Sequence, residues 1–306
     1  MKQRIITGAI LLALFVPLVV IGGVPFYCLI ALAIGWAMYE LMKATEGKKA
    51  DKLGATRCLS WPLVLISIIP LITIVGAFYP YFLNAMAGNG FVFSSNPDAT
   101  SIIIPVVPIV VLAFSLFTGA ILSEKVEIND VFMVFAMSIF LMLGGQCVSF
   151  VRDLGGPFIM FVLLSCFLTD SGAYFVGMIC SKKFRTHKLN ERISPKKTVE
   201  GSIGGIFFGT LIPILVTCIP AMNLKTNTIL IANIDIFTVF VLAFAMSIVA
   251  QIGDLSFSAI KRHYDVKDYS QLFPGHGGVL DRFDSILFNM IFFSVIVMFL
   301  ASGTII

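Results

Sequence analysis

The chain is expected to fold as an all-α, polytopic integral membrane bundle, with about nine transmembrane helices and a cytoplasmic N-terminus. Three observations predict this. Of its 306 residues, 58% are hydrophobic and only 12% charged, about half the charged share of a soluble domain. The mean hydropathy of +0.99 excludes a water-soluble globule or a disordered chain, because that much apolar surface has nowhere to hide. Apolar runs of roughly the 20 residues that a spanning helix takes recur along the chain, and the basic residues keep to alternate segments between them.

The runs lie at 5–22, 25–43, 60–78, 101–122, 131–150, 157–179, 200–220, 228–256 and 284–304. The first follows Met1-Lys2-Gln3-Arg4 and imitates a secretory leader. It is long, lacks a small-residue cleavage site and is followed almost at once by another run, so it is read as a span. With the N-terminus inside, the inner segments hold Lys2, Arg4, Lys43, Lys48, Lys49, Lys52, Arg57, Lys125, the bases from Lys182 to Lys197, and Lys261, Arg262, Lys267 and Arg282. That is nineteen of the 21 lysines and arginines, with only Arg152 and Lys225 outside. One span more or fewer moves half the basic loops to the wrong face.

The segment Tyr79–Thr100 is rich in Asn, Gly, Ser and Pro and is read as a connection. The basic stretch Lys43–Arg57 has no patterned polar residues and reads as a solvated face beside anionic lipid. The six cysteines are scattered, mostly in apolar runs, without a C-x-x-C pair. They read as small buried hydrophobes rather than a disulfide framework or a zinc site. The net charge of +4 is modest, and no nucleic-acid partner is expected. Residues 1–150 form an N-terminal region of five spans. Residues 151–306 form the expected catalytic region of four spans, with cytoplasmic loops at 181–200 and 257–283.

The polar residues gather in that second region. Asp254, Ser258 and Lys261 are spaced to share one helical face, and Asp281, Asp284 and Ser285 share another. Two carboxylates from neighbouring helices make a hard oxygen site of the kind Mg²⁺ prefers alongside substrate phosphates. Simple pairing of these acids with Lys261, Arg262 and Arg282 is the plainer alternative, but the clustering favours a metal site. Asp170 lies inside the sixth run, where an acid is costly and is functional by default, although its role is less defined. Ser194-Pro195-Lys196-Lys197-Thr198 leads into Glu200-Gly201-Ser202-Ile203-Gly204-Gly205. Lysines beside a glycine-rich helix start suit polyphosphate. The alternative is a basic membrane flank with glycines that serve close helix packing. Pro274-Gly275-His276-Gly277-Gly278 reads as a turn that allows a ligand to approach the backbone, with His276 and Gly277 as contacts. His187 and His263 are read as loop residues.

The stretch Ser258-Ala-Ile-Lys261-Arg262-x4-Lys267-Asp268-x5-Pro274-Gly275-His276-Gly277-Gly278-x2-Asp281-Arg282-Phe283-Asp284 resembles the signature of the phosphatidate cytidylyltransferases, or CDP-diacylglycerol synthases. Asp170-Ser171-x-Ala173-Tyr174 and Ser194-Pro195-Lys196-Lys197-Thr198-x-Glu200-Gly201 resemble other polar stretches of that family, in the same order. The strong likeness covers about residues 165–290; the first four spans match in character only. A glycine expected before Lys182-Lys183 is replaced by the Cys180-Ser181 context. The resemblance implies that CTP and phosphatidate give CDP-diacylglycerol and pyrophosphate at the cytoplasmic membrane face. By the same resemblance, Asp254 and Asp281 hold Mg²⁺, with a second metal ion left open. Ser194, Lys196, Lys197, Glu200, His276 and Gly277 are the binding candidates, with Lys196, Lys197, Lys261 and Arg282 for the phosphates of the two substrates, and Ser258, Lys261, Arg282 and Asp284 complete the catalytic set. It also implies a bacterial plasma-membrane location, bilayer lipid as partner, and pairing as a homodimer. Rival readings are a CTP-dependent lipid kinase, which attacks the γ-phosphorus, and a transporter centred on Asp170. The one-sided crowding of polar residues speaks against transport.

Overall fold

The computed structural model describes residues 13, 15–53, 109–110, 112–114, 116–118, 120–121, 128–183, 187–218, 236–273 and 277–303. Its elements are α1 (Gly23–Leu53), α2 (Ile128–Leu154), α3 (Gly156–Lys183), β1 (Lys188–Asn190), β2 (Ser194–Thr198), α4 (Val199–Thr217), α5 (Ile236–His263) and α6 (Leu280–Gly303). Among the described residues, six helices are long and apolar enough to cross a membrane. The chain is a multi-pass membrane protein, as its composition requires.

These six correspond to the runs expected at 25–43, 131–150, 157–179, 200–220, 228–256 and 284–304. Residues 15–21 are helical, as are the described residues within 109–121, where further spans were expected. The run at 60–78 and the segment 79–100 lie outside the described residues. The helices overrun their apolar cores. In particular α5 continues to His263, so Ser258 and Lys261 belong to a helix and not to a loop beginning at 257. No glycine or proline interrupts Leu255–His263, and Lys261, Arg262 and His263 sit in the last turn, where cations complement the helix dipole.

The chain divides into two compact units. The first comprises Met1–Gln146 and Tyr264–Leu280. Its core includes Phe26, Ile30, Ile34, Met38 and Leu41, a single face of α1 at helical spacing. From α2, the Ser138 hydroxyl meets Met38 Sδ at 3.3 Å. Tyr264 donates its hydroxyl to Asp130 at the start of α2, at 3.3 Å.

The second unit comprises Cys147–His263 and Asp281–Ile306. Gly155 separates α2 from α3 with φ 138°, a conformation that favours glycine. The α3–α4 seam is built from small residues. A Cβ placed on Gly201 would lie 2.7 Å from the Ala173 carbonyl, and one on Gly205 would lie 2.7 Å from the Thr169 carbonyl. Of the two readings of the glycine run, close helix packing is thus realised along its length, with only Gly201 also reaching the cavity described below. The α6 helix is tied to α3 by Asn289 Nδ2, which donates to Cys166 Sγ at 2.9 Å. Cys147 and Cys166 are buried, Cys180 is intermediate, Cys28 and Cys218 are exposed, and all five are free. Burial therefore holds for two of the described cysteines only.

An antiparallel hairpin interrupts the helices, a local departure from the all-α expectation. β1 pairs with β2 in the register Lys188↔Thr198 and Asn190↔Ser194. Lys188 Nζ bonds the Pro195 carbonyl at 2.7 Å, and Asn190 Oδ1 accepts from Ile193 N at 3.2 Å to shape the turn. Arg262 Nε, at the end of α5, donates to the Ile193 carbonyl at 3.3 Å. The charged tip is thereby anchored to the second unit.

Candidate active site

A cavity of about 350 Å³ opens in the second unit, between α3, β2, α4 and α5. Asp170 and Tyr174 line it from α3, Lys196 and Lys197 from β2, Ser202 from α4, and Gln251 and Asp254 from α5. Thr198 starts α4 as its N-cap, with extended backbone and its hydroxyl accepting from Gly201 N at 3.1 Å. The cap therefore sets how the two lysines leave the strand and where the helix begins.

The charges are organised as pairs. Lys197 Nζ donates to Asp254 Oδ2, joining the hairpin to α5. Ser258, one turn further along α5, donates to the other oxygen of Asp254 at 3.4 Å. Lys261, seven residues after Asp254 on the same face, donates to Asp281 Oδ1 at 2.8 Å and so joins α5 to α6. Asp284 is buried and accepts from Ser285 N at 2.7 Å. Asp170 lies within electrostatic reach of Asp254, Lys197 and Arg282, and Asp284 within reach of Asp254, Lys261 and Asp170. Carboxylates from α3, α5 and α6 thus converge and are interleaved with cations. Such an arrangement receives highly charged anions by exchanging one set of partners for another.

The sequence-predicted residues divide accordingly. Asp254, Lys196 and Lys197 line the cavity; Ser258, Lys261, Asp281, Arg282 and Asp284 form the linked network beside it, Arg282 being exposed. Ser194 sits at the far end of β2, paired with Asn190, and does not line the cavity. Glu200 points to the hairpin instead: it accepts from His187 N at 3.1 Å and meets His187 Nδ1 at 2.9 Å. His187 consequently has a defined partner that its loop context did not announce. Gly277, with φ 83°, belongs to the first unit and accepts at its carbonyl from Phe273 N at 3.0 Å. His276 lies outside the described residues.

Among the cavity residues not singled out from sequence are Gln251 and Ser202. Gln251 Nε2 donates to the Ser202 carbonyl at 3.1 Å, and Ser202 Oγ donates back to Gln251 Oε1. This reciprocal brace holds α4 to α5 at the cavity wall. Its signal was the position of Gln251, one helical turn before Asp254 and on the same face.

Apolar spanning helices around a cavity lined by two lysines and two aspartates mark a multi-pass membrane protein with a charged site on its second unit. More particularly, the chain belongs to the cytidylyltransferase family, whose model matches residues 2–300. It is 33% identical to the phosphatidate cytidylyltransferase of Bacillus subtilis over 300 residues, covering 95% of this chain and 96% of that one. It is 31% identical to the protein of the same name from Staphylococcus haemolyticus, covering 94% of this chain and 95% of the relative. The Staphylococcus aureus protein is 28% identical over 94% of this chain and 95% of its own length.

Proposed function

We propose that the chain is a phosphatidate cytidylyltransferase of phospholipid biosynthesis, converting CTP and phosphatidate to CDP-diacylglycerol and pyrophosphate. The observation that carries this reading is the cavity where Lys196 and Lys197 of the hairpin meet Asp170 and Asp254 of the membrane helices. It stands in a chain that is similar to enzymes of that name over nearly its whole length.

A phosphate oxygen of phosphatidate attacks the α-phosphorus of CTP. The bond from that phosphorus to the oxygen bridging the β-phosphate breaks, and pyrophosphate leaves with the electron pair. The attacking oxygen is already anionic near neutral pH, so no strong base is needed. The protein's work is to place two anions in line and absorb their charge. Lys196, Lys197, Lys261 and Arg282 are assigned to the phosphates of the two substrates. Ser258 orients Asp254, and Asp284 supports the network from α6. Ser194 and Glu200 act through the shape of the hairpin, and His276 and Gly277 are kept as substrate contacts by the resemblance of their motif.

Asp254 and Asp281 are the carboxylates assigned to Mg²⁺. Among the described residues, no three acids, histidines or cysteines close into a ready cage. Magnesium is commonly bound through one or two carboxylates plus substrate phosphates, the arrangement assigned to this pair. When bound, the ion supplies charge neutralisation at the departing pyrophosphate.

The catalytic region is assigned to 151–306 and faces the cytoplasm in a nine-span topology with the N-terminus inside. Contacts within the first unit support this. Glu40, just past the middle of α1, and Asp130, at the start of α2, both bond the 264–280 loop. Both contacts suit a topology that puts the 264–280 loop and the start of α2 on the same membrane face. The location is the plasma membrane of a bacterium, with the enzyme working as a homodimer.

The test is to incubate the purified protein with CTP, phosphatidate and Mg²⁺ in micelles and to identify the phosphorus products. A cytidine-bearing lipid with one equivalent of pyrophosphate is expected, and chelation of the metal should stop it. CDP release on a lipid alcohol instead would identify a kinase and overturn the reading.

A further inference from the structure

Glu40 is fully buried on α1, in a region of the chain otherwise almost without polar signal. An acid in such a place is costly unless every acceptor site is used. Here it is used heavily. Oε1 accepts from Trp36 Nε1 at 3.1 Å, from the Ser270 hydroxyl at 2.5 Å and from Val279 N at 3.0 Å. Oε2 accepts from Leu280 N at 2.8 Å.

Val279 and Leu280 are the entry to α6, where backbone N–H groups have no partner inside the helix. A carboxylate there also meets the positive end of the helix dipole. Such a cap normally comes from the residue just before the helix; here it arrives from a helix 240 positions away in sequence. The preceding glycine is fitted to it: a Cβ on Gly278 would lie 2.5 Å from Glu40 Oε2. Gly277, immediately before, has φ 83°. The turn is thus shaped to bring its backbone onto one buried carboxylate.

We propose that Glu40 is a positioning residue for the transfer reaction: it fixes the Gly277–Gly278 turn and the start of α6, the helix that goes on to carry Asp281, Arg282 and Asp284. The role rests on the function proposed above. Glu40 touches no substrate; it sets where the first turn of α6 begins and which way the loop before it runs. A displacement of about 1 Å in such a group is enough to cost about a hundredfold in rate.

Glu40→Gln separates this role from simple packing. The amide keeps the volume and one oxygen but presents a donor to the Leu280 N–H. The expected result is a kcat lowered about tenfold to a hundredfold with KM for CTP within about twofold. Size-exclusion behaviour should be unchanged, and amide deuterium exchange should accelerate in peptides covering 277–284 and not in α3 or α5. A kcat within about twofold of wild type would overturn the proposal, as would exchange that accelerates throughout with activity lost in proportion to folded protein. If Glu40→Gln is not recovered folded, Ser270→Ala removes a single donor; a kcat lowered about threefold with faster exchange only at 277–284 is expected, and wild-type values for both would overturn the role. A wild-type chain that makes no cytidine lipid defeats the function itself. A productive wild type with a normal Glu40→Gln defeats only the role of Glu40.

Discussion

The cavity end of α5 carries one lysine–aspartate pair and its final turn carries another, and the two differ in how much water they see. The side chains of Lys197 and Asp254 are 29% and 28% exposed, whereas those of Lys261 and Asp281 are 11% and 6% exposed. A part-exposed pair gives up its partner at modest cost, because solvent or a ligand replaces it. A buried pair does not: removing one member strands the other charge. On the proposed function, the first pair exchanges its partners more easily when anions arrive, while the second also ties α5 to α6 and so keeps Asp281 and Lys261 in place for the metal and phosphate assigned to them.

The largest effect that sharpens this contrast is on Asp254. Asp254→Ala should lower kcat about a thousandfold while leaving the melting temperature near wild type, since Lys197 is left facing water and the cavity. Near-normal turnover at saturating Mg²⁺ would remove Asp254 from the metal site. Asp281→Ala should lose both turnover and stability, the latter by about 3–5 kcal/mol, because Lys261 stays buried without its carboxylate. Adding Lys261→Met to that variant should restore the melting temperature and not the turnover. An Asp281→Ala protein as stable as wild type would erase the distinction between the pairs. Lys197→Ala should raise KM for CTP about tenfold, the equivalent of one charge-assisted hydrogen bond. An unchanged KM would make this lysine purely structural. The smallest effect belongs to Ser258→Ala, about twofold in kcat, since its bond to Asp254 is long and neutral on the donor side.

Most of the helical scaffold was legible because lipid imposes a simple rule: a long apolar run has one stable backbone form. The face shared by Asp254, Ser258 and Lys261 was legible for the same reason, since helical spacing fixes it. The hairpin at Lys188–Thr198 was not, because eleven mostly polar residues between two spans carry no periodicity of their own. It is tied down by Arg262 at the turn and by Glu200 at His187, residues that are distant in sequence or ambiguous in role. Glu40 was invisible for a different reason. A single acid near the end of an apolar run looks like a membrane-edge charge, and only the fold shows four donors converging on it. The glycine run before Gly205 had two readings, and contacts with Ala173 and Thr169 decided between them.

The α3–α4 seam has a consequence for anyone wishing to retune the enzyme. Along Gly177 and Gly201 the cavity wall is backbone, so no side chain there can be trimmed to widen the cavity. Enlarging either glycine drives a methyl group towards the opposite helix, 3.1 Å from the Thr198 hydroxyl in one case and 2.7 Å from the Ala173 carbonyl in the other. Altered selectivity must therefore be engineered through Tyr174, Met178, Leu189 or Gln251, the wall positions whose side chains have atoms to spare.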